Sequence, residues 1–313
     1  MKLIILLFLC TIFVTCVQQE EQSSTTNQEV TSLRQFNIPE VPNSIQFAGE
    51  TIALDTRDQI ERFDRELIVN NFWHSNTILF MKRAHRWFPK MKEIFKNYDV
   101  PQDLIYISIV ESGLMQVRSP AGARGFWQLM PQTARQYGLI VNGEIDERLH
   151  VEKSTRAACQ YLRNAYEELG SWLLAAAAYN RGVRGIEDAL EHQQVDDYTD
   201  LQLNAETHRY VFRILAVKLI MKNPEEFGFH LTQTQMYPER KVRKVQVTED
   251  IDDLVEWSLE RGELYKTTRQ LNPWIRQSYL KVPRADTMIL SLPDETNNSI
   301  TSAVMNDTIK KNL

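Results

Sequence analysis

From about residue 55 to residue 222, apolar side chains recur three and four positions apart, the period of helices that bury one face. Asp55 is placed to cap a helix carrying Ile60, Phe63, Leu67 and Ile68 on one side. Ser75 or Asn76 starts a second helix through Phe80, Met81, Ala84 and Trp87, and Pro89 opens a short third bearing Met91, Ile94 and Phe95. Asp99 and Pro101 mark a further start, and that helix ends near Gly113. Residues 150–169 form a long periodic helix that Gly170 stops, Trp172 to Tyr179 an Ala-rich one, and residues 205–222 another, closed by Asn223-Pro224. No strand alternation is visible between residues 50 and 230. The pattern changes near residue 240. Arg243 to Val247 alternates as a strand, helices are expected at Ile251–Arg261 and Glu263–Leu271, and Thr287 to Leu292 closes the module as a second strand. The expected fold is mainly α, with a small βααβ module at the C-terminal end.

The ends of the chain have a different composition. Lys2 precedes an apolar run from Leu3 to Val14, too short to span a bilayer and followed at once by polar residues, so residues 1–16 are expected to be a signal peptide. Phe13-Val14-Thr15-Cys16 resembles a lipoprotein processing box, although Phe13 and Thr15 depart from its usual residues. Lipidation of Cys16 would hold the protein to a membrane on the periplasmic side of a cell envelope; a cleaved, soluble secreted protein is the alternative. Residues 17–45, rich in Gln, Ser, Thr and Glu, are expected to be a flexible tether, and residues 294–313 a polar tail. Cys10 would leave with the signal and, if Cys16 carries lipid, Cys159 has no partner; it is expected to be a buried thiol.

Net charge narrows the function. At -5, without a long basic run, the chain is not expected to bind nucleic acid. His74, His85, His150, His192 and His208 do not fall at metal-ligand spacing, and neither a Gly-x-Ser-x-Gly elbow nor a phosphate-binding glycine loop is present. No metal or cofactor is expected, and a monomer is.

The candidate chemistry centres on Glu111. The helix Pro101–Glu111 is almost wholly apolar in its second half, and Glu111 sits in its last turn. Burial and the negative end of the helix dipole would both raise its pKa, as a general acid requires. On this segment alone a Glu that bends into solvent or pairs with an Arg, such as Arg118 or Arg124, is the favoured reading. The surroundings favour chemistry. Gly113, Gly122 and Gly125 punctuate a loop where a ligand can approach the backbone, Phe126 and Trp127 offer aromatic surface, and Gln128 offers an amide donor.

Four segments occur in order: Glu111-Ser112-Gly113, Ser119-Pro120-Ala121-Gly122-Ala123, Gly125-Phe126-Trp127-Gln128-Leu129-Met130-Pro131, and Ala178-Tyr179-Asn180. Together they closely resemble the lytic transglycosylase family, which shares the fold of goose-type lysozyme. Phe47-Ala48-Gly49-Glu50, Asp64-Arg65-Glu66-Leu67 and Arg86-Trp87-Phe88-Pro89 narrow the resemblance to the membrane-bound lytic transglycosylase D branch, over roughly residues 45–230. The resemblance implies a lysozyme-like (SLT) catalytic domain at residues 46–235 that cleaves the MurNAc–GlcNAc β-1,4 bond of peptidoglycan and leaves a 1,6-anhydro-MurNAc end.

Position by position, it implies that Glu111 is the acid/base and that Ser119 meets the glycan near the cleaved bond. Gln128 and Met130 line the groove, Tyr179 supports the glutamate and the sugar, and Gly122 and Asn180 complete the substrate-binding set. Ser154-Thr155 and Ala158 replace the family's common Asn-Ile and Gly, away from Glu111. Residues 240–293 resemble a divergent lysin motif, best at Leu271-Asn272-Pro273, which leaves two roles open: glycan binding or a structural cap. The stretch Ser112–Phe126 contains no Asp or Glu to activate water, which favours the transglycosylase over a lysozyme-like hydrolase. A non-catalytic wall-binding scaffold is a third possibility, against which intact Glu111 argues.

Overall fold

The computed structural model describes residues 38–283 and 287–294; the expected signal peptide, Cys16, most of the expected tether and the expected tail beyond Asp294 lie outside them. The first elements form a hairpin that the periodicity did not predict. Strands β1 (Ser44–Phe47) and β2 (Glu50–Ala53) pair antiparallel across Ala48 and Gly49, at φ 53° and 90°. Two consecutive positive φ values make the tight turn that suits twisted strands. The strands are too short for an alternation to stand out, yet Ile45, Phe47 and Ile52 all point into the core.

Helix α1 (Arg57–Phe72) is capped by Thr56, not Asp55. Thr56 Oγ1 accepts from Gln59 N, while the Gln59 side chain accepts from the backbone N–H groups of both Thr56 and Asp55. The buried stripe of α1 is also partly polar. It carries Arg62, Glu66 and Asn70 beside Phe63 and Leu67, whereas Ile60 is 39% exposed.

Helix α2 (His74–Asn97) runs unbroken through Pro89, where a new helix was expected, and it starts at His74 without a side-chain cap. Its buried positions Thr77, Phe80, Met81, Ala84, Phe88, Met91 and Phe95 keep one helical phase across the proline. Tertiary packing of that stripe outweighs the single hydrogen bond that Pro89 cannot donate.

A 3-10 turn at Gln102–Tyr106 leads into α3 (Ile107–Ser112), and Pro131 opens α4 (Pro131–Gln136). Then come α5 (Val151–Leu169), stopped by left-handed Gly170, α6 (Trp172–Arg181), α7 (Val183–Gln193) and α8 (Ala205–Lys222). Ala175 to Ala178 are fully buried, so small side chains let α6 sit in close contact with α5, α7 and α8. Cys159 is a free, buried thiol on α5.

The C-terminal module has the expected order β3 (Val242–Val247), α9 (Leu254–Leu259), α10 (Tyr265–Leu271), β4 (Met288–Pro293), with β3 and β4 antiparallel. Its helices are shorter than expected. Asp253 caps α9 through Val255 N and Glu256 N, and Ile251 instead exchanges backbone hydrogen bonds with Leu280. The module has its own apolar core, and Ile145 of the larger part inserts into it.

Candidate active site

Helix α3 is a single turn and a half, and it ends on Gly113 at φ 59°. A Cβ at Gly113 would lie 2.7 Å from the Phe80 ring, and its carbonyl is held by Arg83 Nη1 at 3.0 Å. This fixes the point at which the chain leaves the helix, directly after Glu111. The Glu111 side chain is half-buried against α8, where the Tyr210 hydroxyl donates to Oε1 at 2.5 Å. Burial is the main force on its pKa, which rises to about 7; Tyr210 and the more distant Arg213 pull it down, and the charge of Glu206 pushes it up. Tyr210 and Tyr179 have pKa values well above the phenol range, through burial first and the Glu111 charge second. Both remain hydrogen-bond donors at any physiological pH.

The loop from Gly113 to Met130 is tied to itself and to the residues behind it. Ser112 Oγ donates to Ser108 O and Phe126 O. Ser119 closes a turn in which its N–H donates to Ala123 O and its Oγ accepts from Ala123 N at 3.0 Å. Gly122 stands at φ 94° with open space where a Cβ would point, whereas a Cβ at Gly125 would lie 2.1 Å from Arg148 O. Only glycine fits at 125.

Gln128 has φ 45°, and its amide nitrogen donates to Gly125 O at 2.8 Å and Val117 O at 3.2 Å. The donor that the sequence offered to a ligand therefore staples the loop. Met130 is 42% exposed at the start of α4.

The aromatic surface expected of Phe126 and Trp127 is absent, because both are core residues. Trp127 stacks on Phe95 and donates Nε1–H to Thr155 Oγ1, and Phe126 packs edge-on against Trp87. Tyr179 donates its hydroxyl to Trp127 O at 2.7 Å, and Asn180 Oδ1 accepts from Thr207 Oγ1 at 2.8 Å. Of the residues singled out from sequence, Glu111 and Tyr179 thus converge electrostatically, while Ser119, Gly122, Gln128 and Met130 belong to the adjoining loop. Among the described residues, none of these side chains hydrogen-bonds Glu111; Tyr210 does.

Tyr210 and Glu206, one turn apart on α8, were not singled out from the sequence. They lie in a helix whose strong apolar content pointed only to packing. Asp146 and Arg148 were also missed as a unit. Arg148 is buried, forks onto both Asp146 oxygens at 2.8 Å, and donates to Gly122 O and Leu129 O. The loop that follows Glu111 is thus held by a paired guanidinium. Among the described residues, no group of three or more His, Cys, Asp or Glu could hold a metal ion.

Residues 90–201, which include Glu111 and the whole loop, match the Transglycosylase SLT domain family. Residues 243–296 match the soluble lytic transglycosylase C-terminal LysM-like domain. Over 197 residues the chain is 32% identical to the membrane-bound lytic murein transglycosylase D of Escherichia coli K12, covering 60% of this chain and 43% of that protein. It is 32% identical over 133 residues to a membrane-bound lytic murein transglycosylase F of Aeromonas hydrophila, covering 39% and 25%. The chain therefore spans less than half the length of these relatives. The crystal structure of the 70 kDa soluble lytic transglycosylase of Escherichia coli matches 47% of this chain and 26% of its own at 24% identity, with a TM-score of 0.36. The relatives are named as membrane-bound, and among the described residues no helix is long and apolar enough to cross a membrane.

Proposed function

We propose that this protein is a peptidoglycan lytic transglycosylase. It would cleave the MurNAc–GlcNAc β-1,4 bond with Glu111 as the sole acid/base and leave a 1,6-anhydro-MurNAc end. The observation that carries this reading is the Glu111 carboxyl itself: desolvated, hydrogen-bonded by one tyrosine, and half protonated at about pH 7. Protonated, it gives its proton to the glycosidic oxygen. The carboxylate left behind takes the proton of the sugar's own C6 hydroxyl, which closes the anhydro ring without water. Ser119, Gly122, Gln128, Met130, Tyr179 and Asn180 are assigned to the substrate groove. Gln128 and Tyr179 act through the loop and Trp127 rather than by direct contact with Glu111.

Two other acids, candidates for a water-activating base, are committed elsewhere. Asp146 is buried in its fork with Arg148, and Glu152 pairs with Lys244 and Arg156. One observation favours a second reading, hydrolysis: the charge of Glu206 raises the Glu111 pKa and Glu206 is exposed, so a second carboxylate lies within electrostatic reach of Glu111. Mass analysis of fragments from purified peptidoglycan separates the two. Transglycosylation gives fragments lighter by one water with no reducing muramic end; full-mass reducing fragments would establish the hydrolase.

The division into a catalytic domain at 46–235 and a lysin-motif-like module at 240–293 belongs to the same reading, as does anchoring through a lipid on Cys16. A membrane-fraction protein whose intact mass starts at a lipidated Cys16 supports the anchor, and a soluble protein starting elsewhere rules it out.

A further inference from the structure

A large cleft is not lined by Glu111. It lies between α2, the start of α5 and the C-terminal module, with a volume of about 830 Å³. Its cations are Arg83, Arg86, Lys90, Arg240, Lys241 and Lys244, against three carboxylates, Glu152, Glu239 and Asp294. His150 adds no charge, since burial lowers its pKa to about 4. The chain as a whole carries -5, so this positive concavity runs against the average of the molecule.

Some of the cations are satisfied within the protein. Lys244 meets Glu152 at 3.1 Å, Lys90 meets Glu93, and Arg83 meets Gly113 O. Arg240 and Lys241 have no side-chain hydrogen bond or ion pair among the described residues, and both are exposed at the rim. Among the described residues Arg86 donates only to Pro238 O; it lies over the Tyr237 ring, with burial and the neighbouring Arg240 both pushing its pKa down. Like charges held together beside a concave wall are stabilised by an anion. The walls also carry Trp87, Trp274 and Pro273, which is apolar surface for a ligand with more than charge to offer.

We propose that this cleft binds a short carboxylate-rich peptide, of the kind that peptidoglycan carries as its peptide stem. Six cations against three acids suit a ligand with more carboxylates than ammonium groups, because the acids can meet the ammonium groups that a peptide has and a polyphosphate lacks. Leu114 and Phe126, on the loop that leaves Glu111, line the cleft. A stem seated there would bring the glycan that bears it beside the loop. The source of the peptide rests on the reading under Proposed function; the chemistry of the cleft does not.

The test is calorimetric titration of the full chain with the free stem tetrapeptide of peptidoglycan, which is not a substrate for glycosidic cleavage. Saturable binding is expected, weakening as salt rises from about 0.05 to about 0.5 M. Arg240→Glu combined with Lys241→Glu, two exposed positions whose reversal leaves the core untouched, should weaken it about tenfold or more. Arg86→Gln should weaken it in the same direction. No saturable binding, or equal affinity in the double variant, overturns the proposal. So does a linear polyphosphate that displaces the peptide and binds more tightly. Failure of the glycan-cleavage reading would appear separately, as no soluble fragments from peptidoglycan treated with the unaltered protein.

Discussion

A buried and a half-buried carboxylate face helix α8, and their surroundings could hardly differ more. Glu66 on α1 has no solvent exposure and is met by three guanidinium groups, those of Arg65, Arg209 and Arg213. Glu111 on α3 is met by the hydroxyl of Tyr210 and, among the described residues, by no cation at ion-pair distance. Arg209 and Arg213, four residues apart, project from one side of α8 toward Glu66, while Tyr210 projects from the adjacent side toward Glu111. One helix therefore supplies full charge compensation to one acid and a neutral donor to the other. Compensation makes Glu66 a structural ion. Its lack at Glu111 leaves desolvation in control and brings the proton within reach of neutral pH.

The largest expected effect comes from removing the uncompensated acid. Glu111→Gln should lower turnover of peptidoglycan about a thousandfold or more with unchanged helical circular dichroism. The same variant reports on stability. A folded-state pKa near 7, above an unfolded value near 4.5, means that the native protein binds the proton more tightly. Stability at this site is then present below about pH 4.5 and is lost as pH rises to about 7. Glu111→Gln should therefore be more stable than the parent at pH 8, by about 1–3 kcal/mol, and equal to it near pH 4. A variant less stable at pH 8 would mean that the carboxylate is compensated after all.

The opposite outcome is expected at Glu66. Glu66→Ala leaves the three arginines without their anion and should cost about 2–4 kcal/mol in denaturant unfolding, with the pH profile of turnover unmoved. A shift of that profile would show that the two acids are coupled through α8.

The C-terminal module is tied to the same frame by its contact with residues 143–149. Asp146 N donates to Trp274 O and Arg276 N to Glu144 O, while Asp146 fixes the Arg148 fork behind the active-site loop. Ending the chain after residue 235 would expose Ile145, which is buried in the module's core. A loss of at least about 2 kcal/mol in stability is expected, with a drop in turnover on soluble glycan fragments. A truncated chain with full stability and turnover would make the module a separable binding unit. A smaller effect is expected at Tyr210→Phe. Losing the donor should cost turnover about tenfold and move the alkaline limb of the pH profile upward, because the hydrogen bond holds the Glu111 pKa down. A packing role alone would leave the limb in place.

Much of this was legible in the sequence, and the rest was hidden for physical reasons. Helices α5, α6 and α8 and the βααβ order follow from periodicity and from stop residues such as Gly170 and Asn223. Glu111 stood out as an acid at the end of an apolar segment. Pro89 misled because local chemistry argued for a break where a continuous buried stripe held the helix together. The hairpin at 44–53 escaped because four-residue strands carry too few alternations. Tyr210 escaped because a tyrosine in an apolar helix looks like core until its hydroxyl finds a carboxylate 99 residues away in sequence. Phe126 and Trp127 looked like a sugar platform because exposure is not written in residue type; here they are core that places the loop. Asp146 and Arg148 are two positions apart, yet what they hold, Gly122 O and Leu129 O, only the fold brings near.

The claim on which all of this turns is that Glu111 keeps its proton near neutral pH. It can be measured directly by following the side-chain carboxyl carbons of glutamate by NMR from pH 3 to pH 9 in the full chain, with Glu111→Gln to assign the signal. One glutamate titrating near pH 7, and missing in the variant, is the predicted result. A Glu111 signal that titrates near 4.5 would contradict it and leave the chain without a general acid at this site.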